Sequence, residues 1–249
     1  MLSLAHLKRN MKRKDWFIKY SLEFIVIVLG ISVSFWLNQV STNKQNNNER
    51  IKVLNSLQKE AKEINDYCAE RKTNWQNDIA ILNAFINPKN QQFNFETLKN
   101  LTKSKSRIQF NLIYYRVFEP PTDRYHSIIN SGALKYINSD KIKEMLSRIH
   151  ITYSSYVQTT IDYEKKLKED IVPVISKRHP DIIIKKNDNS ISTEKYCDII
   201  YNSIQNDREL ISTLILLEEY QKNKINWLSM YIVLIEDLET EINKVLSKK

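Results

Sequence analysis

The sequence predicts an all-α protein, with one N-terminal transmembrane helix followed by a soluble domain of long helices packed as a bundle with a coiled-coil-like seam. Three observations predict it. Residues 16–37 read WFIKYSLEFIVIVLGISVSFWL. At about 1.5 Å per residue they span roughly 33 Å, enough to cross a hydrocarbon core of about 30 Å. Only two glycines, Gly30 and Gly132, and five prolines occur in 249 residues, too few turn residues for a β-rich or doubly wound fold. Beyond the anchor, apolar residues recur at steps of three and four almost throughout, which is the helical period.

Residues 1–15 form a basic leader carrying Lys8, Arg9, Lys12, Arg13 and Lys14. The span, residues 16–37, is interrupted by Lys19 and Glu23. Lys19 lies near its end and can snorkel, while Trp16, Tyr20 and Trp36 stand where interfacial aromatics belong. The sequence NQVST that follows is a poor signal-cleavage site, so the segment reads as a retained anchor. Five basic residues before the span, against Lys44, Arg50 and Lys52 after it, lean toward a cytoplasmic N-terminus and an extracytoplasmic domain. In a bacterium the membrane is the inner one.

Residues 38–50 read as a juxtamembrane neck and residues 51–249 as the α-helical soluble domain. From 51 to 86, Leu54, Leu57, Ala61, Ile64, Cys68, Trp75, Ile79, Leu82 and Ile86 trace one amphipathic face, stopped by Asn87-Pro88. Residues 90–94 read as a loop, 95–101 as a short helix, and 107–117 as an aromatic stretch of undetermined type. Pro120-Pro121 is a break. A helix is expected from Thr122 to Asn130, with Gly132 as its left-handed cap. Asn138-Ser139-Asp140 then N-caps a long helix whose face is Ile142, Met145, Ile149, Tyr153, Tyr156, Thr160, Tyr163, Leu167 and Ile171, ending at Pro173. Residues 179–189 read as a loop, and Ser192 and Thr193 open a helix through Ile204.

The last helix, residues 207–247, has the most regular seam: Leu210, Leu214, Leu217, Leu228, Tyr231, Ile235, Leu238, Ile242 and Val245, with Gln221 and Lys224 in the two remaining places. Two arrangements suit such a seam. It packs antiparallel on the helix after the anchor, or it joins subunits; polar residues in a seam commonly fix register or oligomer state.

The net charge is +9, and about half of it lies beyond the anchor. A mild basic excess is ordinary solvated surface, or marks contact with anionic lipid or a nucleotide. Cys68 and Cys197 allow a disulfide if the domain is extracytoplasmic, or are two buried free thiols. The four histidines, His6, His126, His150 and His179, show no metal-ligand spacing. No glycine-rich phosphate loop occurs, and neither cysteine has a nucleophile's setting. The expectation is a non-enzyme without cofactor or metal.

The chemistry-bearing pattern lies in the anchor. Glu23, Gly30, Ser34 and Asn38 fall at i, i+7, i+11 and i+15, on one helix face. Gly30 and Ser34 form a small-xxx-small pair that lets helices approach closely. A carboxylate in a bilayer costs several kcal/mol unless it faces protein or water. That face therefore suggests self-association. In a ring of about three to five copies, a tetramer among them, Glu23 forms an acidic collar and Ser34 and Asn38 line a cation path. The plainer reading is helix packing without conduction, with Glu23 at headgroup level and paired to Lys19.

Two stretches resemble an uncharacterised bacterial membrane-protein family common in Bacteroidota. One is Leu22-Glu23-Phe24-Ile25-Val26-Ile27-Val28-Leu29-Gly30-Ile31 with Asn38 after it, which is similar to the family's Glu-Ile…Gly-Ile anchor. The other is Ser127-Ile128-Ile129-Asn130-Ser131-Gly132-Ala133-Leu134-Lys135-Tyr136-Ile137, which resembles its Leu-x-x-Ser-Gly-x-Leu-x-x-Ile element. Val40 departs from the family's tryptophan, and Ser32, Ser34 and Trp36 depart from its apolar or amide residues. The resemblance implies architecture and no catalytic function. The layout is also similar to the membrane channel effectors of Hailong-type antiphage defence. That similarity implies a homo-oligomeric pore gated by its soluble domain, a nucleotide or oligonucleotide signal, a partner nucleotidyltransferase and a cytoplasmic domain. The other function expected from the residues is an envelope-anchored structural or interaction module without conduction.

Overall fold

The computed structural model describes residues 3–87 and 93–247, with side chains described for Trp16 and from Ile18 onward. The side chains of the basic leader and most of the 90–94 loop lie outside the described residues. Among the described residues every regular element is helical, and the order is α1 (Ser3–Ile86), α2 (Phe95–Lys99), α3 (Lys105–Ile113), α4 (Asp123–Asn130), α5 (Asp140–Ser147), α6 (Ser154–Arg178), α7 (Asp181–Ile184), α8 (Thr193–Gln205) and α9 (Arg208–Ser247). The chain divides into two units, Met1–Val53 and Leu54–Lys249, and α1 supplies residues to both.

In the first unit, every described side chain from 18 to 48 is exposed. The stretch from 18 is long and apolar enough to cross a membrane. The neck, residues 38–50, is helical and belongs to α1.

The second unit is a helical bundle. Its helices begin where the sequence offers a capping oxygen. Asn94, Ser104, Ser139 and Ser192 each accept a hydrogen bond from a first-turn N–H of α2, α3, α5 and α8. The Asp207 carboxylate accepts from the N–H groups of Glu209 and Leu210, both at 3.1 Å, and so caps α9. The aromatic stretch 107–117 overlaps α3, which ends at Ile113, and the chain from Tyr114 to Pro121 forms no regular element. The 179–189 loop holds one helical turn, α7, which buries Ile182.

The α9 seam is buried within the chain: Leu210, Leu214, Leu217, Gln221, Lys224, Leu228, Tyr231, Ile235, Leu238 and Ile242. It lies antiparallel on α1, since Gln58 donates to Asn243 at 2.5 Å and Lys224 sits 4.4 Å above the Trp75 ring. It lies antiparallel on α6 too, where Tyr156 meets Trp227 and Tyr163 meets Tyr220. The seam is thus covered by its own chain.

The α6 face differs from the sequence expectation, and the reason is local. A π-helical segment, Arg148–Tyr153, joins α5 to α6. A π turn accommodates an extra residue, so the buried stripe changes phase there. Ile142, Met145, Ile149, Thr160 and Ile171 are core as expected, but beyond the π segment the buried stripe also takes in Val157, Ile161, Glu164, Lys168 and Ile175. Tyr156 and Tyr163, expected in the core, are about half exposed. The helix also runs through Pro173 to Arg178 instead of stopping there; the missing proline N–H costs one hydrogen bond without ending the helix.

Gly132 has φ 69°, a left-handed conformation, and closes the end of α4. A Cβ there would meet no atom within 4 Å, so the requirement for glycine is conformational. Gly132→Ala is expected to lower stability by about 1 kcal/mol and Gly132→Asn by less. Denaturant unfolding of the full chain in detergent checks this order; equal midpoints for all three proteins would refute it.

Candidate functional site

The structure keeps Glu23, Gly30, Ser34 and Asn38 on one exposed face of α1. At about 100° per residue they fall within an arc of roughly 80°. The Ser34 hydroxyl donates to the Gly30 carbonyl at 2.8 Å. Apart from its own helix backbone and chain neighbours, no atom lies within 4 Å of where a Gly30 Cβ would stand, and a shallow notch runs along Gly30, Ile31, Ser34, Phe35 and Asn38. One turn beyond, Gln39 donates to Asn43 at 2.9 Å. Trp16 and Tyr20 stack edge to face, 4.4 Å between centroids, at the start of the apolar stretch. Among the described residues Glu23 forms no ion pair, so the expected pairing with Lys19 is not made. The face combines an acid, a hydroxyl, an amide and an open backbone approach at Gly30.

Cys68 and Cys197 are free and buried. Cys68 lies on α1 in the part of the bundle that holds Tyr231, whereas Cys197 lies on α8 among Ile81, Phe85, Tyr196 and Ile200. The disulfide considered from sequence is not formed. Burial pushes both thiols up to about 12, which makes them poor nucleophiles at neutral pH.

The second unit holds a feature that sequence reading half reached. Gln221 and Lys224, the polar places of the α9 seam, are each 1% exposed. Both meet Glu164 of α6. Gln221 Nε2 donates to Glu164 Oε1 at 3.2 Å, Lys224 Nζ bonds Glu164 Oε2, and Lys168 Nζ lies 3.0 Å from Glu164 Oε1. Lys168 also donates to the Tyr114 carbonyl. One buried carboxylate therefore serves two buried ammonium groups. Burial pushes the Glu164 carboxyl up, but Lys168 and Lys224 outweigh it and hold it down at about 2. Burial draws Lys224 downward while Glu164 opposes that shift; with two cations on one anion, the carboxylate is the group most firmly held in its charged form. Nearby, Asp78 of α1 takes ion pairs from Arg107 and from Arg116, and its backbone carbonyl accepts from Asn111 at 2.7 Å. Glu164, Lys168 and Asp78 escaped sequence reading because a charged residue at a core position breaks the apolar pattern that locates the core. The gap at Gln221 and Lys224 was the available signal.

A second buried acid, Glu60, is 1% exposed. It accepts from the backbone N–H groups of Arg124, at 2.6 Å, and Tyr125, at 3.0 Å, and thereby caps α4 from another helix. His150, in the π segment, stacks on Tyr125 at 3.8 Å and lies 3.6 Å from Glu60. Burial pushes Glu60 up and holds His150 down at about 4. His150 is therefore neutral at pH 7. No group of three or more His, Cys, Asp or Glu side chains is placed to hold a metal among the described residues.

A histidine whose folded pKa lies below its unfolded value destabilises the fold as pH falls. Between about 6.5 and about 4 the unfolded chain binds the proton and the folded chain does not. The loss across that window is on the order of 3 kcal/mol. His150→Phe, which keeps the stacking on Tyr125, is expected to remove most of that slope. Denaturant midpoints at pH 7, 5.5 and 4.5 measure it, and identical slopes in both proteins would show that His150 titrates normally.

Comparison with models of protein families, with curated proteins and with solved structures finds no match to the chain.

Proposed function

We propose that the chain is a single-pass membrane protein that self-associates through the Glu23, Gly30, Ser34 and Asn38 face and conducts cations there as a small pore, gated by its helical domain. The observation that supports this reading is the first unit itself. Fifteen large apolar side chains between Ile18 and Val40 are exposed, and an acid, a glycine, a serine and an asparagine share one side of that surface. Lipid covers the apolar side chains at a gain of roughly 1.5–3 kcal/mol each. It cannot cover Glu23 without a cost of several kcal/mol. A second copy can, because the open approach at Gly30 brings two helices close and places acid against water or amide groups. A ring of such helices has an acidic mouth and a hydroxyl- and amide-lined path, a chemistry that favours cations.

The anchor and Ser-Gly-x-Leu resemblances support a bacterial inner-membrane setting, and the likeness to antiphage channel effectors supports gating by a nucleotide or oligonucleotide made by a partner nucleotidyltransferase. Such gating needs a cytoplasmic domain, which the buried free thiols suit and the charge bias of the leader opposes. One observation favours the second reading, an envelope-anchored module without conduction. The Ser34 hydroxyl already has its acceptor in Gly30, so it needs no partner across an interface.

Ion flux in proteoliposomes or in cells expressing the chain tests the pore. Glu23→Ala and Gly30→Leu are each expected to lower flux at least about tenfold at unchanged membrane abundance, the effect of losing a close-packed or charged pore position. Full flux in both variants would overturn the pore face. No flux in the wild type under any condition would favour the module.

A further inference from the structure

The buried polar layer interrupts an otherwise apolar bundle. On one side lie Leu57, Ile64, Leu146, Ile149, Ile235 and Leu238. On the other lie Ile81, Leu82, Ile171, Ile175, Leu214 and Leu217. Between them, Glu164, Lys168, Gln221 and Lys224 bring three charges and an amide into the contact between α6 and α9. Buried ion clusters of this kind are generally less stabilising than well-packed apolar side chains of the same size, because the charges must leave water. Their best-attested use is to fix a register or to build a switch.

The layer sets the register strictly. In the antiparallel pairing, Glu164 faces the step between Gln221 and Lys224. A shift of one helical turn in one direction brings Lys224 against Lys168 and Glu164 against Leu228. A shift in the other direction brings Glu164 toward Leu217 and Lys224 toward Thr160. Only the observed register gives both lysines the same carboxylate.

The layer is also imperfectly satisfied. The Gln221 Oε1 and Trp75 Nε1 atoms are buried without a hydrogen-bond partner, and the Trp75 ring is the one beneath Lys224. Opening the layer to water would hydrate these two atoms and all three charges, a compensation that an apolar seam lacks. The α6 backbone is weakened at both ends of the same stretch. The π segment Arg148–Tyr153 precedes it, and Pro173 follows it without an N–H for the Glu169 carbonyl. π segments and prolines are where helices bend.

We propose that residues 154–172 of α6 are a hinged bar, flexing at the π segment and at Pro173, and that the Glu164–Lys168–Gln221–Lys224 layer is the latch that holds the bar in register on α9 and releases it as a unit. The latch is a conformational device of the second unit, and it stands whether or not the anchor conducts ions.

Hydrogen exchange of the full chain in detergent tests it. In the wild type, amides of 157–168 and 217–228 exchange together, faster than those around Leu146 and Leu238. Glu164→Gln leaves two ammonium groups on a neutral amide and raises exchange in both stretches about tenfold or more. The apolar replacement Glu164→Leu, Lys168→Met, Gln221→Leu and Lys224→Met slows it by a similar factor and raises the melting temperature. Pro173→Ala, which leaves the latch intact, slows it severalfold. Opposite signs for Glu164→Gln and the apolar replacement, with slowing in Pro173→Ala, establish the latch. Unchanged exchange in Pro173→Ala overturns the hinge. An apolar variant that exchanges as fast as the wild type overturns the latch.

Discussion

The apolar surface between Ile18 and Val40 is the constraint from which the account of this protein follows. Every described side chain in that stretch stands exposed, and water is the one environment such a surface disfavours throughout. The gain from covering fifteen large apolar side chains outweighs the few kcal/mol at stake in one carboxylate. On the proposed reading the carboxylate decides how the surface is covered. A helix that were apolar all round would be content as a lone span. Glu23, with Gly30, Ser34 and Asn38 on its side, makes one face unsuited to lipid and leaves the rest suited to it. On the proposed reading, membrane insertion and self-association are two consequences of one pattern.

The helical domain solves a different problem. Its three long contributors, the 54–86 part of α1, α6 and α9, bury continuous seams, and helices of such length pair equally well in several registers when their seams are uniform. The buried carboxylate of Glu164 removes that degeneracy at an expense in stability. Glu60 does comparable work elsewhere: its carboxylate holds the first turn of α4, so that a short helix with no side-chain cap of its own is fixed by a longer one. In both cases a buried acid earns its place by binding donors from two directions.

The helices and their boundaries were largely legible in the sequence, because capping residues and apolar steps are local signals. Ser139, Ser192 and Gly132 act where the sequence places them, and every expected residue of the α9 seam but Val245 is buried. The α6 face was legible only in part, at Thr160 and Ile171. A uniform helical period across residues 148–153 does not anticipate the extra residue of the π segment, which turns most of the stripe by one position. Glu60, Glu164 and Lys168 were hidden for a related reason. A buried charge looks, in sequence, like a surface residue until its partner is known, and the partners lie on other helices. That Glu23, Gly30, Ser34 and Asn38 share one side of α1 needs no tertiary knowledge, since they lie on a single helix whose geometry is fixed by the backbone.

The measurement that bears most directly on the central claim is disulfide scanning of the anchor in native membranes, with single cysteines placed at 23, 25, 27, 30, 32, 34 and 38. Cys68 and Cys197 are buried and free, so they leave the background low. The account expects oxidative cross-linking of full-length chains at 30, 34 and 38, weaker linking at 23 and 27, and none at 25 and 32 on the opposite side. Cross-linking of equal strength at every position, or none at any position in membrane-embedded chains, would contradict the self-associating face.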